Sequence, residues 1–275
     1  MTRPPSVSQD NADNEAWDRM AALGQVVRHR DASQLWFQVA EIAGEQTYLR
    51  HGVRLGPGDV VLDVGANVGV AAAFFITHCG VRLVHSFEPV GPVFEMLEET
   101  VKDMPACIPH NLGMGAAPAT MPITYYPAAA AMSGLYADPV RDSAVVRTAL
   151  LNTGLTAEEA EERLAGLWES ETLTCELTTV SVFLAEEALE RVDLLKIDVE
   201  RAELDVLVGI EEQDWPKIRQ VALEVHDEQG RCARIERMLT GLGFSVATDQ
   251  DAAMAGTSVR MLYAIRPPEP AAGRG

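Results

Sequence analysis

Three stretches of this chain combine residue types and spacings that could do chemistry. The first is Val60-Val61-Leu62-Asp63-Val64-Gly65-Ala66-Asn67-Val68-Gly69, followed further on by Phe87-Glu88-Pro89. Here an apolar run breaks into a glycine turn. Gly65 and Gly69 have no Cβ to keep a ligand away from the backbone. A carboxylate such as Glu88, about 20 residues beyond the turn, is placed to accept hydrogen bonds from both hydroxyls of a ribose. The turn and the acid together indicate a ligand that carries adenosine. The other two stretches are Lys196-Ile197-Asp198-Val199-Glu200 and Glu224-Val225-His226-Asp227. Imidazole titrates near working pH, so His226 is the expected general base. Asp198 would orient it or hold a substrate hydroxyl, and Glu200 and Glu224 are second candidates. The cluster Asp198, Glu200, Glu224, His226 and Asp227 also has the hard-donor character of a divalent-metal site, with Asp198 and Glu224 as first candidate ligands, although no metal is expected. Lys196 reads as an ion-pair partner for a strand-end carboxylate. His29, His51, His78, His85 and His110 lack a partner pattern and read as structural.

Positioning these groups requires a layered scaffold, and the apolar periodicity supplies one. Strands are expected near 60–64, 83–87, 106–110, 192–197, 219–225, 244–248 and 259–265, with helices near 68–79, 91–103, 203–210 and 231–242. Strands alternating with helices imply an α/β fold with a mainly parallel sheet and helices on both faces. Residues 15–50 form an N-terminal extension, with a short helix expected at Trp17 to Leu23 and extended pieces at Gln25 to Arg28 and Leu35 to Val39. The interval 111–191 is too long for a simple connection. Within it, Ile123 to Tyr126 and Thr174 to Val182 read as extended, and Thr156 to Trp168 as a capped acidic helix. Residues 127–172 are expected to be a substrate lid above the strand C-termini, where open α/β sheets bind ligands. The polar residues 1–14 and the tail 267–275 are expected to be disordered, leaving 15–266 as a single domain.

The glycine turn also discriminates between adenosine ligands. It is Asp-Val-Gly-Ala-Asn-Val-Gly, not the Gly-x-Gly-x-x-Gly of dinucleotide enzymes, whose helix N-terminus meets a pyrophosphate. A carboxylate at Asp63 would repel a pyrophosphate and suit the cationic amino acid end of S-adenosylmethionine.

The chain resembles the class I S-adenosylmethionine-dependent methyltransferases and, within them, the FkbM-type O-methyltransferases. The resemblance is carried by Tyr48 to Val53 with Gly56-Pro57-Gly58-Asp59, by Asp63 to Gly69, by Phe87-Glu88-Pro89, by Leu194 to Glu200 and by Glu224 to Asp227, and it runs from about Glu45 to Ile265. One departure is Arg201, where the family usually has glycine after the Asp-Val-Glu run. The resemblance implies a Rossmann-like, seven-stranded sheet whose last strand is antiparallel, with Asp198 and His226 facing one cleft. It implies S-adenosylmethionine as methyl donor, with Glu88 on the ribose, Asn111 at the adenine edge, Asp63 and Asn67 at the amino acid moiety, and Tyr48 and Arg50 near the methionine end. Gly65 and Gly69 complete the donor-binding set. The implied reaction is methylation of a hydroxyl on a polyketide, glycoside or peptide-like natural product. N- or C-methylation on the same fold, or donor binding without catalysis, are the alternatives.

Composition narrows the partners. Lys plus Arg number 22 against 41 Asp plus Glu, a net charge of −19 that disfavours nucleic-acid substrates. No apolar run approaches the roughly 18 residues that span a bilayer. No apolar segment marks the N-terminus as a signal peptide, and Cys79, Cys107, Cys175 and Cys232 lack metal or disulfide spacing, so a cytoplasmic protein is expected. Homo-oligomerisation is compatible with this sequence.

Overall fold

The computed structural model describes residues 11–29 and 32–267. Its strands are β1 (Val60–Val64), β2 (Leu83–Phe87), β3 (Cys107–His110), β4 (Gly113–Met114), β5 (Ala119–Tyr125), β6 (Glu171–Thr178), β7 (Leu194–Ile197), β8 (Gln220–His226), β9 (Ser245–Asp249) and β10 (Val259–Ile265). Seven of them form one sheet in the order β3-β2-β1-β7-β8-β10-β9, and β4-β6-β5 form a second, three-stranded sheet. In the large sheet β10 runs antiparallel to both β8 and β9, and the other pairings are parallel. This is the Rossmann-like class I methyltransferase arrangement.

The helices are α1 (Asn11–Val26), α2 (Ala32–Val39), α3 (Val70–Phe74), α4 (Gly91–Val101), α5 (Pro139–Asn152), α6 (Ala157–Leu164), α7 (Val180–Glu186), α8 (Glu203–Val208) and α9 (Arg231–Gly241). Every residue of β1 and β7 is buried, because helices cover both faces of the sheet. On one face Val61, Val84 and Leu194 join a core with Leu23, Phe74 and Leu97. On the other, Leu62, Val64, Leu195 and Ile197 pack against Phe183, Val206, Ile235 and Leu239. The parallel register sets Asp63 opposite Lys196 and Val64 opposite Ile197, so chemistry-bearing residues collect at the C-terminal ends of the strands.

Several local expectations give way to tertiary packing. Leu35–Val39 is not extended but lies within α2, where Leu35 and Val39 are buried against the sheet's first helical layer. α1 runs through Val26, past the end of the short helix expected there. Residues 11–14, expected to be disordered, open α1, since a helix packed through Leu23 propagates cheaply toward its N-terminus. Residues 1–10 and 268–275 lie outside the described residues. Thr179 is not a strand residue but the N-cap of α7, its hydroxyl accepting from Val182 N–H. α2 continues into a π-helical turn, Ala40–Gly44, and α3 into another, Phe75–Cys79. The first of these carries Glu41 toward the strand ends.

The segment between β5 and β6 has its own polar anchor. α5, which no periodicity announces, starts at an Asp138 cap whose side chain accepts from Val140 and Arg141 N–H. α6 begins with a capping box between Thr156 and Glu159. Asp142 of α5 is fully buried and pairs with Arg201 at 2.6 Å. Tyr126 packs edge-on against Trp168 with ring centroids 5.4 Å apart.

Candidate active site

One cavity of about 430 Å³ opens at the C-terminal ends of β1, β2, β7 and β8. Its floor carries Glu41, Tyr48, Glu88, Lys196, Asp198, Glu200, Glu224 and His226. Its roof is mainly apolar: Phe37 from α2, Ala129 to Leu135, Val146 and Leu150 from α5, and Leu167 and Trp168 after α6, with Ser133, Thr153 and Arg163 the polar side chains among them.

Glu88 sits at the end of β2, buried yet facing the cavity. Its Oε1 accepts from Val90 N–H at 2.8 Å and its Oε2 from Asn67 N–H at 3.0 Å. Each oxygen keeps a lone pair for a ligand hydroxyl. Burial pushes this carboxyl up to about 7, with the two backbone donors and Lys196 pulling the other way. The glycine turn presents no free amide row for a phosphate. Gly65 and Ala66 N–H both donate to the Phe87 carbonyl, at 3.0 and 2.9 Å, and Asn67 N–H goes to Glu88.

The structure separates the glycines of the turn. Gly65 lines the cavity at φ 77°, and a Cβ there would stand 1.7 Å from the Asp198 carbonyl oxygen. Its missing side chain therefore makes room for the end of β7. Gly69, expected at the ligand, instead caps α3 and faces Leu97 of α4, whose Cδ1 would be 2.8 Å from an added Cβ. Asn67 lines the cavity in a left-handed conformation, its Oδ1 accepting from Val68 N–H at 2.6 Å.

Asp63, expected to meet the donor's amino acid end, is fully buried behind the cavity wall and pairs with Lys196 Nζ at 3.0 Å. Its register partner on β7 claims it, in line with the ion-pair role expected of Lys196. Lys196 Nζ also donates to the Gly65 carbonyl at 2.5 Å. Burial lowers the ammonium's pKa, but Asp63 and Asp198 outweigh it and hold the group above the ordinary lysine range. Asn111 does not line the cavity. Its Nδ2 donates to the Glu88 carbonyl at 2.9 Å, so it braces the β2 end. Arg50 likewise turns away, toward Glu45 and Asp251.

Tyr48 and Asp198 do meet at the floor: the phenol donates to Asp198 Oδ2 at 2.8 Å. Burial and Asp198 raise the Tyr48 pKa well above the usual phenol value, so it remains a donor. His226 faces the cavity but is not a free base. Its Nε2 stands 3.2 Å from Glu200 and its Nδ1 3.0 Å from Glu203. Burial would lower the imidazole, but Glu200 and Glu203 push it up to about 11, so it is a cation at working pH. Sequence reading misses both Glu203 and Glu41. Glu41 carries no local signal; burial, Asp198 and Asp251 raise its carboxyl to about 8. Glu224 is pushed up well above the carboxylate range by burial, Asp198 and Glu41.

These residues fit a cationic adenosine ligand better than a dinucleotide. Five acidic side chains of the cavity (Glu41, Glu88, Asp198, Glu200 and Glu224) face three basic ones: Lys196 and His226, both already paired, and Arg163. The sulfonium and ammonium of S-adenosylmethionine suit that field, a pyrophosphate does not, and the spent turn amides agree.

Comparison with known proteins follows the same line. The family model described as Methyltransferase FkbM domain matches residues 63–246. Over 246 residues the chain is 39% identical to the 31-O-demethyl-FK506 methyltransferase FkbM of Streptomyces tacrolimicus, covering 88% of this chain and 94% of that protein. It is 33% identical over 276 residues to the AMB antimetabolite synthetase AmbE of Pseudomonas aeruginosa, covering 95% of this chain and 13% of that much longer protein. Among solved structures, Methyltransferase FkbM from Methylobacillus flagellatus KT shares the fold, with a TM-score of 0.52 at 12% identity over 93% of this chain and 62% of that one. With the family match running from the β1 carboxylate into β9, this chain belongs to the FkbM family of methyltransferases.

Proposed function

We propose that the chain is an S-adenosylmethionine-dependent O-methyltransferase acting on a hydroxyl of a bulky, partly apolar natural product such as a polyketide, glycoside or peptide-like metabolite. The observation that carries this reading is the two-sided cavity, an acidic floor under an apolar roof. Acceptor size and apolarity follow from the roof, and the hydroxyl from the floor's proton-accepting carboxylates. The name of the Streptomyces tacrolimicus relative, which specifies an O-methyl position on FK506, points the same way.

S-adenosylmethionine, when bound, supplies a methyl group already activated on a sulfonium. The chain's own work is to hold, orient and exclude water. Glu88 and Asn67 would hold the adenosine side, and Asp198 with Tyr48 the amino acid side. Residues 127–172 act as the lid that keeps the acceptor dry. Glu41, held near 8, is matched to take the proton that an acceptor hydroxyl must lose. His226, already protonated, is not.

Calorimetric titration with S-adenosylhomocysteine and, separately, NAD tests the donor. Binding of the first, lost in Glu88→Ala, with no binding of NAD, is expected. Mass-spectrometric screening of hydroxylated macrolides then tests the acceptor, and Glu41→Gln should lower kcat by about 100-fold. Transfer only to amines, with Glu41→Gln as fast as wild type, would sink the O-methylation reading.

A further inference from the structure

Glu200, Glu224 and His226 each offer one donor atom to a common point, and the three donors lie within 4.8 Å of one another. Glu224 and His226 stand two apart on β8, so their side chains leave the same face. Glu200 reaches them from the turn after β7, where left-handed backbone at Glu200 and Arg201 (φ 48° and 76°) folds the chain back. A Cβ at position 201 makes that conformation costly, and the buried pair of Arg201 with Asp142 offsets the cost.

The imidazole is braced as metal-binding histidines usually are. Its Nδ1 faces Glu203 Oε1 at 3.0 Å. Glu203 is itself fixed by Arg201 N–H at 2.9 Å and by Arg231 Nη1 at 3.2 Å. A carboxylate only accepts, so Nδ1 donates; Nε2, turned toward Glu200 and protonated without an ion, would release its proton to solvent on ligating one.

The two acids have few partners: His226 stands beside the buried Glu200, and the half-buried Glu224 has none on its side chain among the described residues. Glu200 is 7% exposed, and its Oε2 accepts no aligned hydrogen bond, with His226 Nε2 3.2 Å away. The Glu224 carboxyl makes neither a hydrogen bond nor an ion pair among the described residues. Donors bound to one ion at about 2.0–2.2 Å stand about 3 Å apart, so Glu200 and His226 are already at ligand spacing.

We propose that Glu200, Glu224 and His226 form a binding site for one divalent cation of the kind that takes mixed nitrogen and oxygen donors, such as Mn2+ or Zn2+. All three residues line the cavity, so the remaining coordination positions face the acceptor space. The site narrows the sequence-based cluster: Asp198 is engaged by Tyr48, and both it and Asp227 fall outside the three converging donors. Cation binding stands apart from the reading of the donor and acceptor. Only its use rests on that reading, since a bound ion would acidify a hydroxyl ligated to it.

The test is titration of the chelator-stripped full chain with Mn2+, followed by electron paramagnetic resonance, and with Zn2+ by calorimetry. S-adenosylhomocysteine is titrated in parallel. One ion per chain is expected, with affinity reduced at least about tenfold in Glu224→Gln and in Glu200→Gln. Glu224→Gln keeps shape at a partly exposed position, so it guards against misfolding, which circular dichroism and thermal unfolding of the variant check. Neither ion bound by wild type at about 1 mM, or binding undiminished in both variants, overturns the site. Metal binding is read directly, so either result decides the site whether or not S-adenosylhomocysteine binds.

Discussion

The floor and the roof of the cavity are built on opposite principles. The floor is a set of charges delivered mostly by strand ends, several of them pinned to a neighbour: Lys196 to Asp63 behind it, Asp198 to Tyr48, and His226 to Glu200 and Glu203. Backbone register decides where they stand. The roof presents apolar side chains from helices and loops, and only a few buried polar contacts hold it, chiefly Asp142 with Arg201 and Tyr126. A floor of this kind is intolerant of change and suits a constant ligand. A roof of this kind can be resurfaced without moving the floor, and suits an acceptor that differs from one relative to another.

This division between floor and roof can be challenged at several points. The largest effect should come from the floor's tightest crossing. Gly65→Ala would put a Cβ 1.7 Å from the Asp198 carbonyl, in a backbone conformation that alanine resists. Loss of about 4–5 kcal/mol or more is expected by urea unfolding. Near-normal stability would mean that the β1 turn and β7 end can separate. Next is the roof's anchor. Asp142→Ala leaves the buried Arg201 guanidinium short of a partner and should cost about 3 kcal/mol in the same assay. S-adenosylhomocysteine affinity should stay close to wild type, because that pair makes no contact with Glu88, Asn67, Asp198 or Tyr48, the proposed donor-holding residues. An equal loss of donor affinity would show that floor and roof are one unit.

A third measurement uses pH. Burial holds the unliganded Glu88 near 7, above the ordinary carboxylate value, so the protonated form accumulates as pH falls below that point. Only the ionised form can accept two ribose hydroxyls. Affinity for S-adenosylhomocysteine should therefore rise about tenfold from pH 6 to pH 8 and then level off. Glu88→Gln should bind weakly with no such slope. The smallest effect belongs to the roof's surface. Trp168→Ala should raise the KM of an apolar acceptor several-fold, about 1 kcal/mol, with the donor's affinity unchanged. An unchanged KM would place the acceptor elsewhere.

Legibility in the sequence divides along the same line. The inner strands of the large sheet, β1, β7 and β8 most plainly, are visible as apolar runs because a strand buried on both faces must be largely apolar, whereas the edge strands β3 and β9 are partly exposed and more polar. Glu88, Asn67, Tyr48 and Asp198 are identifiable as floor residues because strand-end acids and a glycine turn leave local traces. α5 escapes notice although Asp138-Pro139 is a start signal, since its buried and exposed positions do not keep a clean helical period. Leu35–Val39 reads as a strand because a short apolar run does not tell strand from helix. Asn111 and Gly69 stand at the right places in the chain, and their neighbours draw them away from the cavity.

What the sequence determined by itself is the order of strands and turns, and hence which acids arrive at the strand ends. Periodicity and turn chemistry are local properties, so they survive being read one residue after another. What only the tertiary structure decided is the state of each group on arrival. His226 becomes a buried cation because Glu200 and Glu203 flank it, Asp63 is consumed by its register partner, and Glu41 is brought in by its own π-helical turn, far in the chain from the strand ends it meets. Burial and charge pairing are sums over neighbours in space. The chain supplies those neighbours from distant positions, and folding alone brings them together.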